Sequence, residues 1–174
     1  HMPVASKIIS KVSVAAGFED MPASADISSG IIDCLFETEG ISKAFGFFIV
    51  PNTFPQHVID HVKAIEGKYP GKFVKFLMPP LPLSILNPSS SKVTKILNKN
   101  PGLFQGYGEA RFDFNLGTNA NQDDEYFYEM YRLADENNLI VQIHPDKGQL
   151  EALKRILEKY PNVKFLAHVM PDVK

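Results

Sequence analysis

Residues 138–171 constrain the fold of this chain more than any other stretch, because they read as a strand, a helix and a second strand in close succession. The first apolar run, residues 139–143, contains a single polar residue and is followed by His144. A stretch with the apolar spacing of an amphipathic helix comes next, with Leu150, Leu153, Ile156 and Leu157 predicted on one face. The second apolar run, residues 163–167, is followed by His168. So short a connection predicts two parallel strands joined by a right-handed crossover.

The two histidines therefore fall at the carboxyl ends of strands that we expect to be neighbours in a parallel sheet. This edge is where α/β proteins build their sites. One strand spacing is roughly 5 Å, so we expect the imidazoles of His144 and His168 to reach one metal ion. The alternative is that both rings are polar groups at strand ends, satisfied by water or backbone. Between the strands, Asp146 with Gln149 has the form of a capping box at the start of the helix.

Strands and helices alternate along the rest of the chain, which predicts an α/β fold with a parallel sheet. Apolar runs predict four further strands, at residues 6–16, 43–50, 72–78 and 104–112. Helical spacing predicts four further helices, at residues 25–39, 55–67, 91–97 and 123–137. We interpret residues 1–174 as a single domain, an incomplete TIM-type (β/α) barrel of about six units, because a complete barrel needs about 250 residues. An open parallel α/β sheet is the alternative.

The composition excludes several classes of function. A net charge of −2 gives no electrostatic basis for binding nucleic acid or an anionic membrane surface. No apolar run is long enough to span a bilayer. Cys34 is the only cysteine, so we expect neither a disulfide framework nor a cysteine zinc site, and a reducing, cytoplasmic compartment suits the chain. We interpret the opening His1-Met2 as a cloning remnant and leave His1 out of the chemistry.

The segment GYGEARF, residues 106–112, carries further candidate site residues. The carboxylate of Glu109 near a strand end suits a general base or a metal ligand. Its alternative is an ion pair with Arg111 or Lys75. Arg111 and Asp113 can contact an anionic substrate, or else they form a surface pair that contributes little to stability.

Three other features have simpler structural explanations. Gly106 and Gly108 lack the third glycine of a dinucleotide fingerprint, so we expect them to let a bulky neighbour or a ligand approach the backbone. His57 and His61 lie four residues apart on a predicted helix, a spacing that can bind zinc. We expect instead two solvated imidazoles on the outward face of that helix. Cys34 lies on an apolar helix stripe and is expected to be a small buried hydrophobic residue.

Three segments, GYGEARF, EMYRLADENNLIVQIHP and KYPNVKFLAH, resemble the amidohydrolase superfamily. Within it they resemble the metal-dependent amidohydrolase-2 branch, which includes aminocarboxymuconate-semialdehyde-decarboxylase-like enzymes, over about residues 30–171. The resemblance implies a barrel of the metal-dependent hydrolase kind, a divalent metal, with zinc favoured, and hydrolysis or decarboxylation of a small carboxylate or amide substrate. It implies that His144 and His168 are metal ligands at the ends of successive strands. It also implies that Glu109 occupies the position where the family's fourth strand often carries a functional acid or lysine. These three residues would be catalytic and would hold the metal, while Arg111 would bind the substrate.

The chain departs from the family's pattern in its first and last strands. The family's first strand carries a His-x-His pair, and the predicted first strand here has no histidine. The family's eighth strand supplies an aspartate, and no eighth strand is predicted here. The resemblance therefore implies a truncated or degenerate relative, or a piece of a larger chain, in which metal occupancy is low. A second hypothesis is a catalytically inactive, barrel-derived scaffold or binding protein that forms homo-oligomers, because a partial barrel leaves strand edges and apolar helix faces uncovered.

Overall fold

The computed structural model describes residues 2–3, 25–53, 55–79, 88–111, 125–144 and 150–167. Within them, six strands form one sheet in which every neighbouring pair is parallel. The strands are β1 (Met2–Pro3), β2 (Ala44–Ile49), β3 (Phe73–Met78), β4 (Gly106–Arg111), β5 (Ile140–His144) and β6 (Lys164–Ala167). The helices are α1 (Ala25–Thr38), α2 (Pro55–Lys68), α3 (Ser90–Lys99), α4 (Glu125–Glu136) and α5 (Leu150–Lys159). The predicted α/β fold with a parallel sheet is therefore confirmed.

The strand order in the sheet follows the order of the chain, from β1 to β6, without a reversal. A doubly wound sheet reverses its order at a switch point, and the described strands contain none. Successive right-handed crossovers in one direction put the helices on one face of a sheet. In agreement, all five described helices share one hydrophobic cluster with alternate strand residues. Those strand residues are Phe48, Phe73, Leu77, Tyr107, Val141 and Ile143. This arrangement is compatible with a partial β/α barrel.

The predicted first strand stays a prediction. The stretch 6–16 lies outside the described residues, and the strand that pairs with β2 on that side is Met2–Pro3. Met2 is in register with Gly46. Met2 therefore takes part in the sheet, which the interpretation of His1-Met2 as a cloning remnant did not anticipate. His1 itself lies outside the described residues.

Hydrophobic periodicity predicts the buried faces of two helices correctly. The buried residues of α2 and α4 include Val58, Ile59, Val62, Ile65, Phe127, Met130, Tyr131 and Ala134. On α5 only half of the predicted apolar face is buried. Leu153 and Ile156 are buried, while Leu150 and Leu157 are 42% and 45% exposed. None of the described helices combines the length and the apolar character that crossing a bilayer requires.

Cys34 is exposed, so the prediction that it is buried is wrong. Helix α1 contacts the core through Ile32, which is fully buried, and through Phe36. The ring of Phe36 packs edge-on against Phe73, with 5.4 Å between the ring centroids. Two residues of α-helix turn the chain by about 200°, so Cys34 lies on the opposite side from both contact residues. Its Sγ donates to the hydroxyl of Thr38 at 3.6 Å.

Candidate functional site

The predicted site residues of β4 and β5 map to the carboxyl ends of these two strands. Arg111 and His144 are the last residues of their strands and are partners in the parallel register. Glu109 precedes Arg111 by two residues in β4. The strands β5 and β6 are parallel neighbours, as the strand-helix-strand pattern predicts. His168 follows β6 in the chain and lies outside the described residues, so its approach to His144 stays a prediction. Also outside them are Asp113, Asp146 and Gln149.

A β-bulge interrupts the pairing of β4 with β5 just before that edge. The register shifts between Tyr107 and Ala110, so that two residues of β4, Gly108 and Glu109, lie opposite the single residue Gln142 of β5. Bulges are rare in parallel pairs and recur next to active sites, where they redirect a side chain. Gly108 has φ +119°, a conformation that residues with a Cβ seldom adopt, so the bulge requires glycine at this position.

Gly106 gives the ring of Phe76 access to the backbone of β4. A Cβ atom at position 106 would overlap that ring. The ring is 0% exposed and packs against Phe45 and Phe47, with centroid separations of 5.6 and 4.9 Å. The prediction that a glycine here admits a bulky neighbour is therefore confirmed for Gly106.

Gln142 is a candidate site residue that hydrophobic periodicity alone does not single out. It is the one polar residue of the run 139–143, and its side chain is 3% exposed. Among the described residues, no group donates a hydrogen bond to its Oε1. A buried amide oxygen without a partner is costly, so its retention needs an explanation. The available signal in the sequence is the polar break in an otherwise apolar strand.

Lys75 forms an ion pair with Glu66. The side chain of Glu109 lies outside the described part of the chain, so its predicted pairing with Arg111 or Lys75 stays a prediction. The Nζ of Lys75 lies 2.5 Å from Oε2 of Glu66. The backbone N–H of Gly71 donates to the other carboxylate oxygen at 3.1 Å. The hydrogen bond from Lys75 lowers the pKa of Glu66, against an opposing effect of burial. The carbonyl of Lys75 accepts from the N–H of Gln105, which precedes β4. The Lys75–Glu66 ion pair therefore lies near the start of β4, and the bulge lies further along that strand.

The two histidines of α2 have different environments. His57 is exposed, whereas His61 is half-buried with its ring edge-on to Phe48, at 6.3 Å between centroids. Among the described residues, Nε2 of His61 has no hydrogen-bond partner. Burial lowers the pKa of His61, and the neighbouring charge of His57 lowers it further. The expectation of solvated imidazoles is right for His57 and wrong for His61.

We expect the free energy of unfolding of His61→Phe to change less than that of wild type as the solution becomes acidic. Because the pKa of His61 is lowered in the folded state, the unfolded chain takes up the proton first as the pH falls below 6.5. Stability is therefore fully present above pH 6.5 and is lost as the pH falls through that value towards the lowered pKa. We expect a loss below about 1 kcal/mol, because the ring is only half-buried.

Urea denaturation on both sides of pH 6.5 measures this difference. His57→Gln is the matched control, because it removes an exposed imidazole from the same helix. It should reduce the pH dependence only slightly, through the charge that His57 presents to His61. The same pH dependence in wild type and His61→Phe would contradict the assignment.

No protein-family model matches the chain, and none of the curated proteins matches it significantly. Within the described part of the chain, no three His, Cys, Asp or Glu side chains lie together as a metal-binding group. The side chains of the three predicted ligands, Glu109, His144 and His168, lie outside that part. The backbone register at the β4–β5 edge and the burial of Gln142 are therefore the observations that bear on function.

Proposed function

We propose that this chain is a metal-dependent protein of the amidohydrolase type, a hydrolase or decarboxylase for a small carboxylate or amide substrate, built on an incomplete β/α barrel. The observation that supports the proposal is the register of Arg111 beside His144 at the carboxyl edge of a parallel sheet, directly after a bulge that contains Glu109. The carboxyl edge is where enzymes with this strand order keep their catalytic groups. Bulges next to such an edge serve to position a side chain.

The donor types at this edge suit a zinc ion. Zinc in hydrolytic sites takes about three protein ligands, among which neutral imidazole and carboxylate are common. His144, His168 and Glu109 would supply that set. When bound, the metal supplies Lewis-acid polarisation and a water of lowered pKa.

The chain's own residues would then do the remaining work. One carboxylate oxygen of Glu109 would take the proton released during attack and return it to the leaving group. The guanidinium of Arg111 would bind a substrate carboxylate through two parallel hydrogen bonds, which fixes the orientation of the substrate. This assignment of Arg111 favours substrates that carry a carboxylate over neutral amides.

We expect His144→Ala and His168→Ala each to weaken zinc binding by at least about 100-fold, because losing a ligand should cost more than losing a group that supports one. Zinc content after loading and dialysis measures the binding. Turnover is followed on a panel of amides, lactones and β-keto acids. His57→Ala removes an exposed imidazole from α2 and is the matched control, which should bind zinc like wild type.

The metal proposal would be wrong if His144→Ala and His168→Ala both held as much zinc as wild type. In that case the second candidate, a catalytically inactive scaffold, gains support. A specific observation favours it: the apolar side chains Leu150 and Leu157 of α5 are exposed, and β6 pairs only with β5 among the described strands. Exposed apolar side chains and uncovered strand edges each promote association. Sedimentation would then show an oligomer whose formation is independent of zinc.

A further inference from the structure

We propose that the carboxamide oxygen of Gln142 is an acceptor held for the N–H or O–H group of a bound small molecule. This inference rests on the proposed function only for the location of the site. It names the substrate class more closely: molecules that pair a carboxylate with a hydrogen-bond donor, such as small amides of dicarboxylic acids or amino- and hydroxy-acids. The argument depends on the burial of Gln142, its neighbours and its place in β5.

The side chain of Gln142 is 3% exposed, and its Oε1 is buried without a hydrogen-bond partner among the described residues. A buried acceptor without a partner has lost its hydrogen bonds to water and makes no hydrogen bond in the protein that compensates for them. Methionine has nearly the same length and would fill the space without that cost. Among the described residues nothing offsets this cost, and we infer that glutamine is kept here for binding, as residues that lower stability commonly are.

The neighbouring strands do not supply the missing donor in the described structure. On one side, Gln142 is in register with Leu166 of β6, whose side chain is apolar. On the other side, it faces the two bulge residues of β4: Gly108, which has no side chain, and Glu109, whose side chain lies outside the described part of the chain. The backbone of Gly108 can take its conformation only because this residue lacks a Cβ. At the bulge, Gly108 therefore contributes no side chain next to Gln142.

Gln142 precedes His144 by two residues in β5, which is about 7 Å along a strand. Strand alternation predicts that residues two apart share one face of the sheet. His144 is in turn the register partner of Arg111. A molecule of a few heavy atoms spans the distance from Gln142 to this edge. Its donor would meet Gln142 while its carboxylate meets Arg111.

The first test measures stability without any ligand. We expect Gln142→Met and Gln142→Leu to raise the Tm of the free protein, by about 2–6 °C for the better-fitting variant, because each removes an unpaired buried oxygen. Two side chains of different shape are used so that a poor fit of one is recognised. A fall in Tm for both variants would show that the oxygen is already bonded inside the folded protein, and it would overturn the proposal.

The second test uses acetamide, which carries N–H donors, and N,N-dimethylacetamide, which carries none. The side-chain NH₂ signal of Gln142 is assigned in a ¹⁵N-correlated spectrum by its absence from Gln142→Met. Acetamide should shift this signal in wild type, and N,N-dimethylacetamide should not. No shift with acetamide, or equal shifts with both probes, would overturn the proposal.

The same spectra separate this inference from the proposed function. If His144→Ala leaves zinc content unchanged while acetamide still shifts the Gln142 signal, the metal proposal fails and the acceptor assignment stands. If His144→Ala loses zinc while the signal never responds to acetamide, the acceptor assignment alone fails.

Discussion

Gly106→Ala is expected to lower the free energy of unfolding by about 2–4 kcal/mol, because the added methyl group overpacks a buried site. The added Cβ would overlap the ring of Phe76. That ring cannot move aside easily, because it is fully buried and held by Phe45 and Phe47. Overpacking of this kind forces neighbouring side chains out of their rotamers or shifts the backbone.

Gly67→Ala is the matched control, because it makes the same chemical change at an exposed position of α2. A Cβ at position 67 would meet no atom within 4 Å. Alanine is the better helix former by up to about 1 kcal/mol, so this variant should be as stable as wild type or more stable. Urea denaturation of both variants gives the comparison. A loss of similar size in both would contradict the role of the Phe76 ring.

A third variant tests the contact itself. Phe76→Leu in the Gly106→Ala background reduces the overlap at the cost of a smaller buried side chain. The double variant should therefore lose less stability than the sum of the two single variants. The coupling energy from this double-mutant cycle should be at least about 1 kcal/mol. Additive losses would show that Gly106 acts through backbone conformation and not through space for the ring.

Glu66→Gln is expected to lower the free energy of unfolding by about 1–3 kcal/mol, because it leaves the buried ammonium of Lys75 without its counter-charge. The side chain of Lys75 is 7% exposed and that of Glu66 is 35% exposed. Breaking a fully buried pair costs more, and the partial exposure of Glu66 is the reason for the lower range. Lys75→Met in the same background should recover part of the loss, since it removes the ammonium charge that Glu66→Gln leaves without a partner.

Glu151→Gln in α5 is the control for the change of a paired carboxylate to an amide. Glu151 pairs with Lys154 at 2.7 Å, but these side chains are 71% and 56% exposed. Surface pairs of this kind contribute little, so the loss should be much smaller than that of Glu66→Gln. A hydrogen bond from a lysine lowers the pKa of both carboxyls, so the two variants should differ in acid only in the size of the effect, which solvent screening reduces for the exposed Glu151 pair. The pKa of Glu66 is lowered, so its stabilising effect is present above pH 4.5 and is lost as the pH falls towards the lowered value. Equal losses in both variants would count against the buried pair.

The strand and helix pattern of this chain is predictable because burial imposes a period on the sequence. The strands β2 to β6 and all five helices lie close to the residues that apolar spacing predicts. The fine placement of side chains around a helix is less predictable. Cys34 and His61 show this, since the rotation of a helix about its axis against the sheet decides which of its side chains are buried. Tertiary contacts, such as those of Phe36 with Phe73 and of Phe48 with His61, fix those rotations.

The candidate site is predictable in its location but not in its detail. Parallel strands ending in His144 and Arg111 follow from the alternation of strands and helices along the chain. The bulge at Gly108 and Glu109 does not, because a bulge is a property of two paired strands and leaves no period in either one. The unpaired oxygen of Gln142 likewise emerges only once the neighbouring strands are in place.

The consecutive strand order has a consequence for how the chain reaches its native state. Each described strand from β2 onward hydrogen-bonds to the described strand before it in the chain, so none of these strands has to wait for a partner synthesised later. Contacts between neighbours in the chain form quickly, because little loop entropy opposes them. The protein can therefore assemble unit by unit during translation, with each new strand covering the edge that its predecessor exposed.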